Sequence, residues 1–204
     1  MRGAKSAPEG ATFGAASPIR RYMLAVLLAL SGCWLPAGVP EERYQRAQQL
    51  VDEGTRALQE QRFDAAQVSF SLAYDLAPLA AALDGQGCVA LVRGEYERAE
   101  ELFRAAHESD EGYDHALANL ALLYDVTGRS REALELYDRV LREEPLAAPV
   151  RNNRAALAHD LAADRRWVAD ELLKASLSGS DGVVTENLKV ARRDLEGQHD
   201  EESN

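Results

Sequence analysis

The side chains best suited to chemistry in this 204-residue chain are few and poorly spaced for catalysis. Four histidines and two cysteines are present, at His107, His115, His159, His199, Cys33 and Cys88. No two histidines stand four residues apart, the spacing that lets two imidazoles hold zinc on one helix face. His159 directly precedes Asp160, but adjacent residues do not face one another on a helix. The chain is therefore predicted to bind no metal or cofactor and not to be an enzyme.

A glycine-rich segment and Cys88 also lack the sequence context that a functional site would need. The segment Gly85-Gln86-Gly87 could begin a phosphate-binding loop, but no strand precedes it and the surrounding pattern is helical. Cys88 has no conspicuous base near it in sequence, and a cysteine in such a setting is typically a small buried thiol.

Cys33 stands in a different setting, at the end of a short apolar run. Two arginines at 20–21 precede residues 22–30, a segment too short to cross ~30 Å of hydrocarbon but suited to a secretory signal. The run ends in Leu-Ser-Gly-Cys at residues 30–33, which resembles the lipobox of bacterial lipoproteins. That resemblance implies diacylglycerol on the Cys33 thiol and cleavage after Gly32. An ordinary signal peptide, or a buried helix with an unrelated cysteine, is the alternative.

This leader predicts a protein of the bacterial cell envelope, with a signal peptide at 1–32 and a tether at 33–43. Trp34 follows the cysteine where an inner-membrane retention signal often has aspartate, so the resemblance implies the outer membrane, facing the periplasm. The formal net charge of −11 and the lack of a Lys/Arg cluster exclude nucleic acid as the expected partner.

Beyond the leader the sequence repeats with a period of 33 or 34 residues, as Phe63, Tyr96 and Ser130 illustrate. Other positions recur in the same frame: Gly54/Gly87/Ala121, Ala66/Ala99/Ala133, Phe70/Phe103/Tyr137, Ala73/Ala106/Val140 and the turn positions Gln61/Gly94/Gly128. Pro78, Glu111 and Pro145 close the units, and a proline in helical register ends a helix. The small residues are expected to let helices approach closely, and the aromatic residues to fill the core between neighbouring hairpins.

The helical period is visible within the units. Apolar or small residues recur at i, i+3, i+4 and i+7 through residues 47–58 and again through residues 63–77, as on one face of a helix. The pattern of small, aromatic, alanine and proline positions over 34 residues resembles the tetratricopeptide repeat. The resemblance implies an all-α fold in which helical hairpins stack in a right-handed superhelix.

The resemblance sets domain boundaries as well. A tetratricopeptide domain is predicted at 44–178, with repeats at about 47–80, 80–113 and 114–147 and a degenerate one at 148–178. In that last unit Trp167 is placed roughly where the second repeat has Tyr96. Residues 179–204 are predicted to form a short capping helix and an acidic disordered tail.

In this family the first helix of each hairpin lines a concave groove that binds protein segments. Carried onto this sequence, the inward positions are Gln48, Val51, Thr55, Leu58, Ala81, Asp84, Cys88, Leu91, His115, Ala118, Leu122 and Asp125, and Arg151, Asn153 or Arg154 lies near the groove in the less certain fourth unit. The carboxylate clamp of the chaperone-binding members is missing, because Asp84 and Asp125 replace basic or amide groups. A helix or extended segment with apolar anchors and Lys or Arg is the expected partner. An interface on the convex face or the end caps is the alternative.

Two functions fit these features. The first is a membrane-anchored protein-interaction scaffold of the envelope, which assists assembly of a pilus, secretin, secretion or outer-membrane complex. The second is a regulatory or accessory subunit of an envelope enzyme, such as one that acts on peptidoglycan. In either case the expected partners are envelope proteins and, through the lipid, the membrane, with no small-molecule substrate.

Overall fold

The structure, a computed structural model, describes residues 38–179 and 182–202, without the side chains of residues 196–202. The predicted signal peptide, the Cys33 anchor and residues 33–37 of the tether lie outside the described residues. From Val39 onward the described residues belong to one unit.

The described residues form nine α-helices and no strand. The helices are α1 (Glu41–Gln59), α2 (Phe63–Leu76), α3 (Ala80–Val92), α4 (Tyr96–Ser109), α5 (Asp114–Val126), α6 (Ser130–Glu143), α7 (Ala148–Asp160), α8 (Arg165–Ser178) and α9 (Gly182–Glu202). Consecutive helices pair into four hairpins, and α9 packs against α8 and α7 at the end of the stack. The predicted all-α stack of helical hairpins is confirmed.

The turn inside each hairpin has the same backbone geometry. Gln61, Gly94, Gly128 and Ala162 adopt positive φ angles of 58°, 75°, 78° and 59°. Just after each of them an amide N–H reaches back to a carbonyl five residues earlier, as from Glu95 to Ala90 at 2.9 Å. This arrangement satisfies carbonyl groups left unpaired at a helix end, and glycine adopts it most easily. The turn is thus part of the repeat even where glycine is absent.

The core follows the predicted repeat. The three aromatic side chains Phe70, Phe103 and Tyr137 are at most 1% exposed, and Ala66, Ala99 and Ala133 are fully buried beside them. Gly54 and Gly85 both lie against the Phe70 ring, and Gly87 lies against the Phe103 ring. A side chain at these glycines would collide with an aromatic ring, so the small residues allow the close helix packing that the sequence predicts.

Two boundaries differ from the sequence prediction. The helix α1 begins at Glu41, so the last three residues assigned to the tether, 41–43, are helical. The helix α9 runs from Gly182 to Glu202, so the segment predicted as a short capping helix and disordered tail is mostly helical.

The fourth hairpin corrects the place assigned to Trp167. The second helix of that hairpin begins at Arg165, which therefore corresponds to Tyr96 and Ser130. Its buried positions are Val168, Leu172 and Ala175, with relative exposures of 1%, 2% and 0%. Trp167 lies on the exposed side, under the Arg154 guanidinium, whose carbon is 4.9 Å from the ring centroid. These buried positions lie 35 residues after their counterparts in the third unit, so Trp167 stands two residues past the place that was assigned to it.

Candidate protein-binding groove

The first helices of the hairpins, α1, α3, α5 and α7, contact one another in order, and α9 extends the series. We call their shared face the groove. Its first hollow, about 500 Å³, lies between α1, α3 and the start of α5. It is lined by Tyr44, Gln48, Val51, Asp52, Leu79, Ala80, Ala81, Asp110 and Tyr113. This wall is mostly apolar, with carboxylates among its exposed groups.

A buried polar cluster lies beneath the groove at Asp84. The Tyr113 hydroxyl donates to one Asp84 carboxylate oxygen at 3.1 Å, and the Asn119 amide donates to the other at 2.9 Å. The same Asn119 amide lies 3.4 Å from the Cys88 sulfur. Asp84 is only 6% exposed, and burial raises its pKa, although the two hydrogen bonds and the charge of His115 act against this effect.

This burial corrects the expectation that Asp84 presents a charge to a partner. A carboxylate with both oxygens hydrogen-bonded and almost no exposed surface holds α3 to α5 rather than steering ligands. Cys88 is part of the same packing, and burial together with the Asp84 charge raises the pKa of its thiol. A raised thiol pKa means little thiolate, which agrees with the predicted structural role of this cysteine.

The second hollow, about 250 Å³, lies between α5, α6 and α7. Its wall includes His115, Ala118, Leu122, Tyr137, Val140 and Asn153, with Asp114 and Glu144 also among the lining residues. The Tyr137 side chain is fully buried, and its hydroxyl has no hydrogen-bond partner among the described residues. Burial raises the pKa of this phenol and the Asp125 charge adds to the effect, while the Asn153 amide opposes it.

A third hollow lies where α9 meets α7 and α8. Ala156, His159 and Val190 contribute to its wall. His159 Nε2 lies 3.0 Å from an Asp194 carboxylate oxygen, which ties α7 to α9. Farther along the groove the Asp125 carboxyl is half-buried, and its pKa is raised by burial and then by the charge of Asp160. Negative charge on this part of the groove thus comes from Asp125 and Asp160.

Six of the predicted groove residues line a hollow: Gln48, Val51, Ala81, His115, Ala118 and Leu122. Three others, Leu58, Cys88 and Leu91, are half-buried and pack against the core. Thr55 is exposed, and its hydroxyl donates to the Val51 carbonyl at 2.9 Å. That these positions bind a partner stays a prediction.

Arg154, one of the three residues considered for the fourth unit, lies away from the three hollows of the groove. Its guanidinium pairs with Asp138 of α6 at 2.6 Å and with Glu171 of α8 at 3.1 Å, and it stacks on Trp167. These partners belong to the second helices, on the side away from the groove. Asn153, another of the three residues considered, does line the second hollow.

The repeat frame could have found the correct residues of the fourth unit. Adding 34 to His115, Ala118, Leu122 and Asp125 gives Pro149, Asn152, Ala156 and His159. Pro149, Ala156 and His159 each line a hollow. Sequence reasoning missed Tyr113 and Asn119. It assigned Tyr137 to the core alone, although a tyrosine there replaces the phenylalanine of the earlier repeats.

The outer face, formed by the second helices, is the alternative interface, and one part of it is apolar. Val68 and Leu72 of α2 are 58% and 48% exposed, one helical turn apart. At the corresponding places α4 carries Glu101 and Ala105. An interface on this face stays a prediction.

Within residues 38–179 and 182–202, no group of three His, Cys, Asp or Glu side chains is placed to hold a metal ion. None of the helices formed by these residues has the length and apolar character to cross a bilayer.

The comparisons with known proteins agree with this geometry. Residues 90–157 match a family model described as tetratricopeptide repeat. No curated protein matched the sequence. The matched segment covers α4 to α6 with most of α7, which includes the second hollow.

Solved structures share the fold at low sequence identity. Pseudomonas aeruginosa pilF superposes with a TM-score of 0.67 at 17% identity, over 77% of this chain and 72% of that one. The thermophilic tetratricopeptide protein TTC0263 of Thermus thermophilus gives 0.65 at 19% identity, over 73% and 82%. A tetratricopeptide repeat protein of Parabacteroides merdae gives 0.55 at 20% identity over 77% of this chain, which spans 62% of its length.

Proposed function

We propose that this chain, which carries tetratricopeptide repeats, is a lipid-anchored scaffold of the bacterial envelope whose groove binds another envelope protein. Tetratricopeptide domains bind protein partners, and the fold is typically not catalytic. The observation that carries the proposal is the groove, where α1, α3, α5, α7 and α9 contribute to three hollows. Apolar walls with a few polar groups are typical of surfaces that receive a peptide or helix.

The anchor rests on the leader. The Leu-Ser-Gly-Cys sequence at 30–33, after two arginines and a short apolar run, supports lipid attachment at Cys33 and location in the outer membrane, facing the periplasm. A lipid at the start of the tether would hold the groove within reach of membrane-bound assemblies. Among these, a pilus, secretin, secretion or outer-membrane complex is our first candidate, and the fold shared with Pseudomonas aeruginosa pilF is in keeping with it.

The anchor can be tested by metabolic labelling of the full-length chain with an alkyne fatty acid. We expect label on the wild type and on Cys88→Ser, and none on Cys33→Ser, which should leave the membrane fraction or accumulate as a precursor. Cys88→Ser is the matched control, because Cys88 is held in the α3–α5 packing beside Asn119. An unlabelled wild-type protein would contradict the proposed lipid anchor but would not bear on the proposed role of the groove.

The scaffold role can be tested by site-specific photo-crosslinking in the native bacterium. A crosslinking residue at Gln48 or His115, both exposed on the groove, should capture one shared envelope protein. The same residue at Glu101 or Glu135, exposed on the outer face, is the control and should not capture it. Capture only from the outer face would place the interface there instead. A captured peptidoglycan enzyme would favour the accessory-subunit function over assembly.

A further inference from the structure

Tyr137 carries a hydroxyl that its position in the repeat does not require. The corresponding residues of the first two hairpins are Phe70 and Phe103, and all three rings are at most 1% exposed. The Tyr137 hydroxyl has no hydrogen-bond partner among the described residues. A buried hydroxyl without a partner opposes folding, whereas phenylalanine would fill the same core space without that cost. The extra oxygen therefore needs an explanation other than packing.

The surroundings of Tyr137 supply one. The ring lies in the wall of the second hollow together with Asn153. The Asn153 side-chain carbonyl accepts a hydrogen bond from the Asn152 amide at 3.2 Å, and the Asn153 NH2 group lies close enough to the Tyr137 hydroxyl to lower the pKa of that phenol. The hollow thus offers two neighbouring donors, a hydroxyl and an amide. An oxygen that accepts from both, such as a peptide carbonyl, is the complementary group.

The other residues that line the second hollow indicate which side chains a bound peptide would carry beside that carbonyl. Ala118, Leu122 and Val140 give the hollow an apolar side. Asp114 and Glu144 line it as well, and neither takes part in an ion pair within the described ranges. Two free carboxylates repel a carboxylate ligand and attract a cation.

We propose that the second hollow is a docking site for an internal peptide segment of a protein partner, with a backbone carbonyl against Tyr137 and Asn153 and an adjacent lysine or arginine against Asp114 and Glu144. The proposal rests on the proposed function and specifies the chemistry of its partner. It excludes a C-terminal tail as the occupant, because the terminal carboxylate would meet two carboxylates. Because the Tyr137 hydroxyl is buried in the free protein, docking at this site requires neighbouring side chains of the hollow to move aside.

The probe is a fluorescein-labelled octapeptide of alternating alanine and lysine with an amidated C-terminus, titrated by anisotropy against the full chain in non-ionic detergent. The same peptide with glutamate in place of lysine measures the charge requirement. We expect the lysine peptide to bind and the glutamate peptide to bind at least tenfold more weakly. No binding of the lysine peptide to the wild type, or equal binding of both peptides, would overturn the proposal.

Two tyrosine variants separate docking from folding. Tyr137→Phe should weaken the lysine peptide about three- to tenfold, the loss expected for one hydrogen bond, and should leave the melting temperature unchanged or raised. Tyr124→Phe is the matched control, because the Tyr124 hydroxyl is already bonded to Glu100 at 2.9 Å and Arg104 at 2.8 Å. It should lower the melting temperature and leave peptide affinity unchanged. A Tyr137→Phe variant that binds normally, or that melts at a markedly lower temperature, would show that the hydroxyl serves folding and overturn the assignment.

A second pair of variants tests the role of the Asp114 and Glu144 carboxylates. The double variant Asp114→Asn, Glu144→Gln should weaken the lysine peptide and flatten its salt dependence. The double variant Glu101→Gln, Glu108→Gln removes two exposed charges from α4 and should change neither. If both double variants weaken the lysine peptide equally, the attraction depends only on the net charge of the protein, and the proposed site is refuted. Because these titrations do not depend on lipidation or on the crosslinked partner, their failure is distinguishable from failure of the envelope scaffold.

Discussion

The Phe103 ring lies directly against Gly87, so that a Cβ atom added at Gly87 would stand 2.5 Å from the Phe103 Cε1 atom. The two residues come from adjacent helices of one hairpin, α3 and α4, and Phe103 is fully buried. A rigid ring that is enclosed on its other sides cannot move away without disturbing the core.

We therefore expect Gly87→Ala to lower the free energy of unfolding by about 1–2 kcal/mol. Overpacking a core costs ~1–3 kcal/mol, and the better helix propensity of alanine returns up to about 1 kcal/mol of that. Urea unfolding followed by circular dichroism measures the change. Gly112→Ala is the control, since its added Cβ would meet only an Asp110 carboxylate oxygen at 3.4 Å. A Gly87→Ala variant as stable as the wild type would mean that the two helices are not so close.

A second prediction concerns the pH dependence caused by Asp84. Burial raises the pKa of this carboxyl in the folded protein, so the folded state holds its proton to higher pH than the unfolded state. The contribution of Asp84 to stability therefore falls as pH rises from its unfolded pKa of ~3.9 through its folded pKa, then levels off.

Unfolding of the wild type and Asp84→Asn should be compared between about pH 3.5 and 8, a range that brackets the unfolded pKa of Asp. The stability of the wild type minus that of the variant should decrease with increasing pH and then become constant. Asp52→Asn, at an exposed carboxylate of the first hollow, controls for the loss of one charge. If the difference instead increases with pH, Asp84 is stabilised as the anion and the hydrogen bonds from Tyr113 and Asn119 outweigh burial.

A third prediction concerns Glu171, which is 5% exposed and joins the two helices of the fourth hairpin, α7 and α8. Its carboxylate lies 2.6 Å from an Arg151 nitrogen, 3.1 Å from an Arg154 nitrogen and 2.9 Å from the Lys174 ammonium. Burial raises the pKa of Glu171, but the hydrogen bond from Lys174 and the charge and hydrogen bond of Arg151 outweigh it, and the net pKa is lowered.

We expect Glu171→Gln to destabilise the protein by about 3 kcal/mol at pH 7, because it leaves partly buried cations without their counter-charge. A lowered folded pKa contributes stability that is present above the unfolded pKa of ~4.3 and is lost as pH falls through the folded pKa. The difference should therefore shrink in acid. Asp170→Asn, an exposed partner of Lys174 at 3.0 Å, should cost no more than about 1 kcal/mol. Similar losses for both variants would show that Glu171 is not the centre of this network.

The sequence determined the parts of this protein that repeat. Residues 33 or 34 apart occupy equivalent positions in successive hairpins. The core is therefore predicted from Phe70, Phe103 and Tyr137, and the turns are predicted from Gln61, Gly94 and Gly128. The proposed leader and lipid anchor at Cys33 rest on the sequence alone, because a secretory signal is recognised before folding.

The tertiary structure decided what each polar side chain faces. Asp84 and Asp125 occupy positions that the family assigns to the groove, yet Tyr113 and Asn119 cover Asp84, while Asp125 stays half-buried near Asp160. Arg154 turns towards Asp138 and Glu171 because two carboxylates on the second helices attract it. The period of a repeat fixes which helix face a residue occupies, but hydrogen bonds and ion pairs depend on neighbours 16 to 35 residues away. Those neighbours meet only when the hairpins stack.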